Sequence, residues 1–180
     1  MTFCLSTPSV RFHQSWLASW AEWGHGVHQD GASVGRAEQG DLDLQDTEQF
    51  AQWVELLLLD ADLTADRLPG RVPATTLWVT AGDDYVGSIQ LRYELTDALT
   101  ELGGHIGYGI RPSWRRRGAA TFALGGMLAR ACRLGLSRVL ITCDDANVAS
   151  VRTIERHGGE LEDVREAPGR SPWRRYWITI

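Results

Sequence analysis

The densest chemistry in the sequence is HIGYGIRPSWRRRGAA at residues 105–120. An apolar run that reads as a strand stops at Arg111-Pro112. Four arginines (Arg111, Arg115, Arg116, Arg117) then fall within seven residues, and Gly118-Ala119-Ala120 opens a helix-forming stretch. The first N–H groups of a helix have no internal partners and sit at the positive end of its dipole, so phosphate oxygens bind there. Gly118 lets the backbone approach such a ligand closely, and Ala119 and Ala120 keep the rim open. An ordinary capped helix with a solvated basic face is the alternative. There is no GxxxxGK[ST] and no GxGxxG opening the helix, so P-loop and dinucleotide-binding architectures are disfavoured.

The charge distribution carries the same suggestion. All 18 basic residues are arginine, against 23 acidic residues, for a net charge of −5. That total argues against a nucleic-acid binder. Residues 1–104 hold 16 acids and 5 bases, whereas residues 105–180 hold 7 acids and 13 bases. An acidic half and a basic half suit an enzyme that joins a cationic substrate to a polyanionic cofactor.

Elements must position these groups. Residues 9–23 place Phe12, Trp16, Leu17, Trp20 and Trp23 near helical spacing, as a core-facing stripe. Residues 24–40 read as a long loop, in which His25 and His28 have no metal-ligand pattern around them. A helix starts at Asp46 or Thr47. Thr75–Thr80 and Tyr85–Glu94 form a hairpin, residues 95–104 connect, and residues 105–110 form the next strand. A helix over 117–134, a buried strand over 138–143, a helix from Asn147 to His157, and strands over 160–166 and 176–180 complete the chain. The pattern implies an α/β fold with a mixed sheet and packed helices, in one domain over residues 1–180.

Arg115-x-x-Gly118-x-Ala120 matches the (Q/R)xxGx(G/A) motif of the GCN5-related N-acetyltransferase (GNAT) family. Tyr108–Pro112, Val139–Cys143, and Asn147-x-x-Ser150 followed by Glu155–Gly159 resemble that family's strand, next strand and cleft-closing helix, in order. The resemblance covers residues 72–180 as a cofactor-binding core, and residues 1–71 loosely as a helical acceptor-side part. It implies a splayed central sheet with helices on both faces, and acetyl-CoA as co-substrate without a metal. Arg115, Arg116, Arg117, Gly118, Ala119 and Ala120 would form the pyrophosphate segment, with backbone amides of Arg116 to Ala120 as donors. Gly109 and Ile110 would pair with the pantetheine arm. Asn147, which could equally be a helix N-cap, would contact that arm, with Ser150 in the same set.

The implied activity is acetyl transfer to a primary amine by direct attack. A small cationic acceptor such as a polyamine, amino sugar or basic amino acid suits the acidic half. The family's tyrosine, seven residues after the asparagine, is here Ile154, so Tyr108 or Tyr176 could supply the proton to the leaving thiol. Glu94 ranks ahead of His105 as base. A non-catalytic acyl-CoA sensor is the alternative. A homodimer is an assembly common in the family. Cys143, on an apolar strand, reads as inert. The absence of an apolar run of membrane-spanning length and of a leader pattern points to a cytoplasmic protein with no membrane partner.

Overall fold

The computed structural model describes residues 2–24, 31–65 and 70–180; His25 and His28 lie outside these. A strand β1 (Cys4–Ser6) and a 3₁₀ turn (Val10–Phe12) lead into α1 (His13–Trp23). Short α2 (Gly35–Gln39) lies in the stretch expected to be wholly loop. Helix α3 (Thr47–Leu59) starts as its cap residue dictates: Asp46 Oδ1 accepts from the amides of Glu48 at 3.1 Å and Gln49 at 2.9 Å.

The hairpin β2 (Ala74–Ala81) and β3 (Asp84–Arg92) follows. Then come α4 (Asp97–Glu101), β4 (Ile106–Ile110), a 3₁₀ turn at Pro112–Trp114, and α5 (Ala119–Arg133). β5 (Arg138–Asp144), α6 (Val148–Arg156), β6 (Glu160–Ala167) and β7 (Arg170–Thr179) end the chain. β7 starts six residues earlier than expected, because Trp173, Arg174 and Arg175 pair with Asp144, Cys143 and Thr142.

The strands make two antiparallel sheets, ordered β1-β2-β3-β4 and β5-β7-β6. The expected splay is therefore almost complete. Between β4 and β5 the pairing shrinks to one isolated bridge, Gly104 to Ile141, beside the bond from His105 N–H to the Leu140 carbonyl at 2.7 Å.

Strand alternation sends the two faces to two cores. From β2, Trp78 enters a cluster with Phe12, Trp16, Phe50 and Trp53 under α1 and α3, while Val79 enters one with Leu124, Met127, Ile141, Ile154 and Tyr176 under α5 and α6. Helices thus cover both faces. The tryptophan stripe of α1 is mostly core: Trp16 lies 5.2 Å from Trp53 and 5.4 Å from Phe50, centroid to centroid.

Trp53→Ala is expected to cost about 3–5 kcal/mol, and Leu63→Ala, at an exposed position, under about 0.5 kcal/mol. Denaturant midpoints check this; a Trp53→Ala cost near that of Leu63→Ala would mean the cluster is not a packed core.

Candidate active site

The segment expected to bind an anion is shaped by two residues with positive φ. Arg116 has φ 66° and Gly118, the N-cap of α5, has φ 84°. Left-handed residues at a turn aim successive N–H groups into one concavity. The first bond of α5 runs from Phe122 N–H to the Gly118 carbonyl. Among the described residues, the amides of residues 116–121 have no acceptor. A Cβ on Gly118 would meet nothing within 4 Å. Glycine serves conformation here rather than close packing, and the space in front of it is open.

The arginines divide into two kinds. Arg111 is not part of the cradle. Its Nε donates to Glu22 at 2.7 Å, and Glu22 also accepts from Ser113 N–H at 2.9 Å and Ser113 Oγ at 3.0 Å. Burial pushes the Glu22 pKa up, but the hydrogen bonds from Ser113 and Arg111 outweigh it and hold the carboxyl below its ordinary value. Arg115 is exposed, yet its Nε donates to the Ile110 carbonyl at 3.1 Å and its guanidinium lies 4.6 Å over Trp23. Arg117 stacks 5.1 Å over Trp114. Arg116 has no side-chain partner among the described residues.

Strand parity decides which backbone groups face the gap between β4 and β5. The bonds from Arg92 N–H to the His105 carbonyl and from Arg111 N–H to the Val86 carbonyl, both 2.8 Å, put the odd-numbered residues of β4 on the β3 side. Gly109 therefore spends its polar groups on Ser88, and Tyr108 and Ile110 turn theirs toward the gap. The expectation that Gly109 offers its backbone to the gap is thereby corrected, and of the pair only Ile110 faces it. The Ile110 carbonyl is taken by Arg115, and its N–H has no acceptor among the described residues.

The same alternation explains Gly107. It packs against Gly31, where an added Cβ would run into the Gly107 carbonyl.

Across the gap, Tyr108 reaches α6, with its hydroxyl 3.5 Å from the Ser150 carbonyl. Asn147 caps α6, its Oδ1 accepting from Ser150 N–H at 3.1 Å, and its Nδ2 remains available on the exposed side. Ile154 is fully buried, and a Cβ on Gly159 would strike it. Position 154 faces the core and cannot present a side chain to the gap. Tyr176 is tied down as well, its hydroxyl donating to Glu155 at 3.2 Å and accepting from Arg174 at 3.3 Å.

His105 departs from expectation. It is 8% exposed, and its Nδ1 accepts from Leu140 N–H at 2.9 Å, so the ring proton sits on Nε2. Burial, with Arg92 and Arg138 nearby, lowers its pKa from 6.5 to about 4. The one lone pair of the neutral ring is taken by Leu140 N–H, so none is left for a substrate proton. His105 joins the two sheets instead. Glu94 lies beyond the end of β3, exposed and without a partner among the described residues. Burial pushes the Cys143 thiol up to about 11, so it is a poor nucleophile.

A match to the acetyltransferase (GNAT) domain spans residues 15–160. The chain belongs to the GNAT family. It is an acyltransferase domain of the acetyl-CoA-dependent type. No curated protein sequence matches the chain. Among solved structures, RimL, a ribosomal L7/L12 alpha-N-protein acetyltransferase in complex with coenzyme A, aligns with TM-score 0.70 and 14% identity over 100% of this chain and 95% of its own. The acetyl transfer enzyme from Salmonella typhimurium that modifies the N-terminal serine of L7/L12 gives TM-score 0.67 and 14% identity, covering 100% and 96%. The microcin C7 self-immunity acetyltransferase MccE, with acetyl-CoA and AMP, gives 0.66 and 15%, covering 99% and 92%. At these identities the likeness is one of fold.

The GNAT sheet also has a second face. Thr142, Trp173 and Arg175 project away from α5 and α6, under the β3–β4 connection: Gly103 N–H donates to Thr142 Oγ1, and Trp173 Nε1 to the Glu101 carbonyl, both at 3.0 Å. Arg175, 4% exposed, pairs with Glu162 at 2.7 Å and Asp163 at 3.3 Å. The alternation Trp173-x-Arg175-x-Trp177 was the available signal. Among the described residues no three metal-ligating side chains come together, and no helix is long and apolar enough to cross a membrane.

The junction makes two expectations. His105→Leu leaves Leu140 N–H buried without an acceptor and costs about 1–3 kcal/mol, whereas His105→Asn, whose Oδ1 can replace Nδ1, costs less. Because the folded pKa lies below the ordinary one, His105 contributes stability that is fully present above pH 6.5 and is lost as pH falls toward 4. Melting curves should show the wild type losing more stability than His105→Asn over that window. Parallel losses would remove the histidine from the account.

Proposed function

We propose that the chain moves an acetyl group from acetyl-CoA to the primary amine of a small cationic acceptor, by direct attack with both substrates bound. The observation that carries this is the run of acceptor-free amides at residues 116–121, set in open space at the positive end of α5. Such donors suit a pyrophosphate, with Arg116 and Arg117 as flanking charge. The group fits this chain for a second reason: β4 turns one backbone edge, including the Ile110 N–H, toward a gap that β5 does not fill.

Acetyl-CoA supplies an activated thioester when bound. The chain's residues do the rest. Ile110 N–H and the backbone of Tyr108 align an extended arm as an added strand would. Asn147 Nδ2 and Ser150 Oγ offer polar contacts from the α6 side. A main-chain N–H on this edge polarises a carbonyl, as an oxyanion hole does. Tyr108 Oη delivers a proton on the thiol side, since position 154 cannot. Glu94 takes the proton of the incoming amine through a water. The excess of acids in residues 1–104 favours a cationic acceptor.

One observation bears on a second reading, a domain of this family kept as an acyl-CoA sensor: with Ile154 in the core, α6 offers no proton donor at that position. A protein N-terminus is the competing acceptor, because two of the neighbours described act on L7/L12.

Gly118→Glu puts bulk and negative charge into open space but strains the left-handed backbone there by roughly 1–2 kcal/mol; in the folded variant acetyl-CoA affinity should fall by more than about 100-fold, equivalent to roughly 2.7 kcal/mol. Calorimetry on both folded proteins checks this, and equal affinities would break the cradle assignment. Tyr108→Phe should lower kcat about 10²-fold with little change in KM for acetyl-CoA. Unchanged kcat would exclude Tyr108 as proton donor. Tight acetyl-CoA binding without turnover across small amines and N-terminal peptides would favour the sensor.

A further inference from the structure

A hollow of about 230 Å³, half open to solvent, lies between α1, α2 and the segment that precedes α3. Its walls are Trp16, Leu17, Trp20, Val34, Ala37 and Leu42. Glu38 and Asp43 border it, and both are exposed. An apolar cavity of about 150 Å³ stays dry and takes up a benzene-sized guest. This one has room for a ring with a short chain, and is smaller than the ~300–1,000 Å³ pockets of drug-sized ligands.

The charges at the rim are unmatched. Among the described residues neither carboxylate is paired with a cation: Arg36 and Arg71 both go to Asp60, each at 3.5 Å, while Asp43 Oδ1 accepts only from Gln45 N–H. The site therefore attracts a cationic guest and repels an anionic one.

The cavity is also tethered to the gap-forming strand. Gly31 abuts the Gly107 backbone, and Gln90, paired with Gly107, donates to Ser33 Oγ and to Thr76 Oγ1. Val34, in the cavity wall, is three residues from Gly31, so their separation is at most about 11 Å. The wall segment that carries Val34 is thus tied to β4 through Gly31 and Ser33.

We infer that this cavity seats the apolar body of the acceptor, and that the acceptor is a small arylalkyl or branched-alkyl ammonium. The inference rests on the acetyl-transfer reading above and narrows its acceptor. Hydrophilic amines fall outside the class: a polyamine or an amino sugar would leave indole and aliphatic walls uncovered, giving up about 25 cal/mol for each Å² not buried.

Calorimetry on the full chain without acetyl-CoA tests the site, with 2-phenylethylamine, spermidine and 3-phenylpropionate as probes. Saturable binding of 2-phenylethylamine is expected, at least about tenfold tighter than either of the other two. Leu17→Trp, which fills the cavity from a half-buried position, should abolish that binding while leaving acetyl-CoA affinity unchanged. Glu38→Gln, at an exposed position and without risk to folding, should weaken it about threefold.

Equal binding of 3-phenylpropionate, no saturable binding of 2-phenylethylamine, or full binding by folded Leu17→Trp and Glu38→Gln would each overturn the cavity assignment. Turnover separates the two readings. If acetyl-CoA binds and spermidine is acetylated with higher kcat/KM than 2-phenylethylamine, acetyl transfer stands and the acceptor class falls. If acetyl-CoA does not bind, the failure lies in the cofactor reading.

Discussion

Everything that opens the cleft depends on how His105 closes its base. Its carbonyl accepts from Arg92 N–H in one sheet, its N–H donates to the Leu140 carbonyl in the other, and its ring accepts from Leu140 N–H. One residue thus stands in for a ladder rung between sheets that otherwise do not pair. The turn before it needs left-handed backbone, with Gly103 at φ 112° and Gly104 at φ 64°, and a Cβ on Gly104 would run into the Leu140 carbonyl. Arg92 fixes that turn through the Gly103 and Gly104 carbonyls at 3.2 and 3.0 Å, and its charge disfavours the imidazolium. The gap beyond is made by withholding pairing, so β4 keeps one polar backbone edge that its own fold does not use up.

The second constraint runs from the first third of the chain into the cradle. Glu22 near the end of α1 holds Arg111 and Ser113, and Trp23 supports the Arg115 guanidinium. The loop before α5 must hold Arg116 at positive φ, a conformation that is unfavourable for a side chain with a Cβ. Contacts on both sides of that residue limit where the loop can relax. Helix α1 and the turn before α5 are therefore mechanically one unit, although about ninety residues separate them in sequence.

That separation explains what could be read in advance. The cradle was legible because a strand stop, an arginine run and Gly-Ala-Ala are local features with a local consequence. The fate of Arg111 was not, because the residue that claims it lies near position 22. Gly109 was misassigned for a related reason: parity along β4 follows from its register with β3, where Gly87 faces Ile110, and nothing within HIGYGI reports that register. His105 looks like a base in sequence because its type suits one; only the position of Leu140 shows that the lone pair of the ring is spent. β1 escaped notice because three residues carry no periodicity. The division into two separate sheets was not legible either, because it depends on β4 and β5 meeting at a single bridge.

The absent tyrosine becomes intelligible on the same terms. Helix α6 ends at Gly158-Gly159, and Gly159 sits so close to Ile154 that only glycine fits there. The helix is thereby pressed onto the core through position 154, and a phenol there would have to displace Val151, Leu124 or Tyr176 from a filled interior, at a cost typical of overpacking. A hydroxyl must come from elsewhere, and β4 offers one. Tyr108 leaves the strand on the α6 side, half-buried, with its oxygen near the first turn of that helix. The family's usual donor is carried by the helix and points at the strand. In the proposed mechanism the hydroxyl is carried by the strand and lies near the helix, so the proton would cross the same gap from the opposite wall.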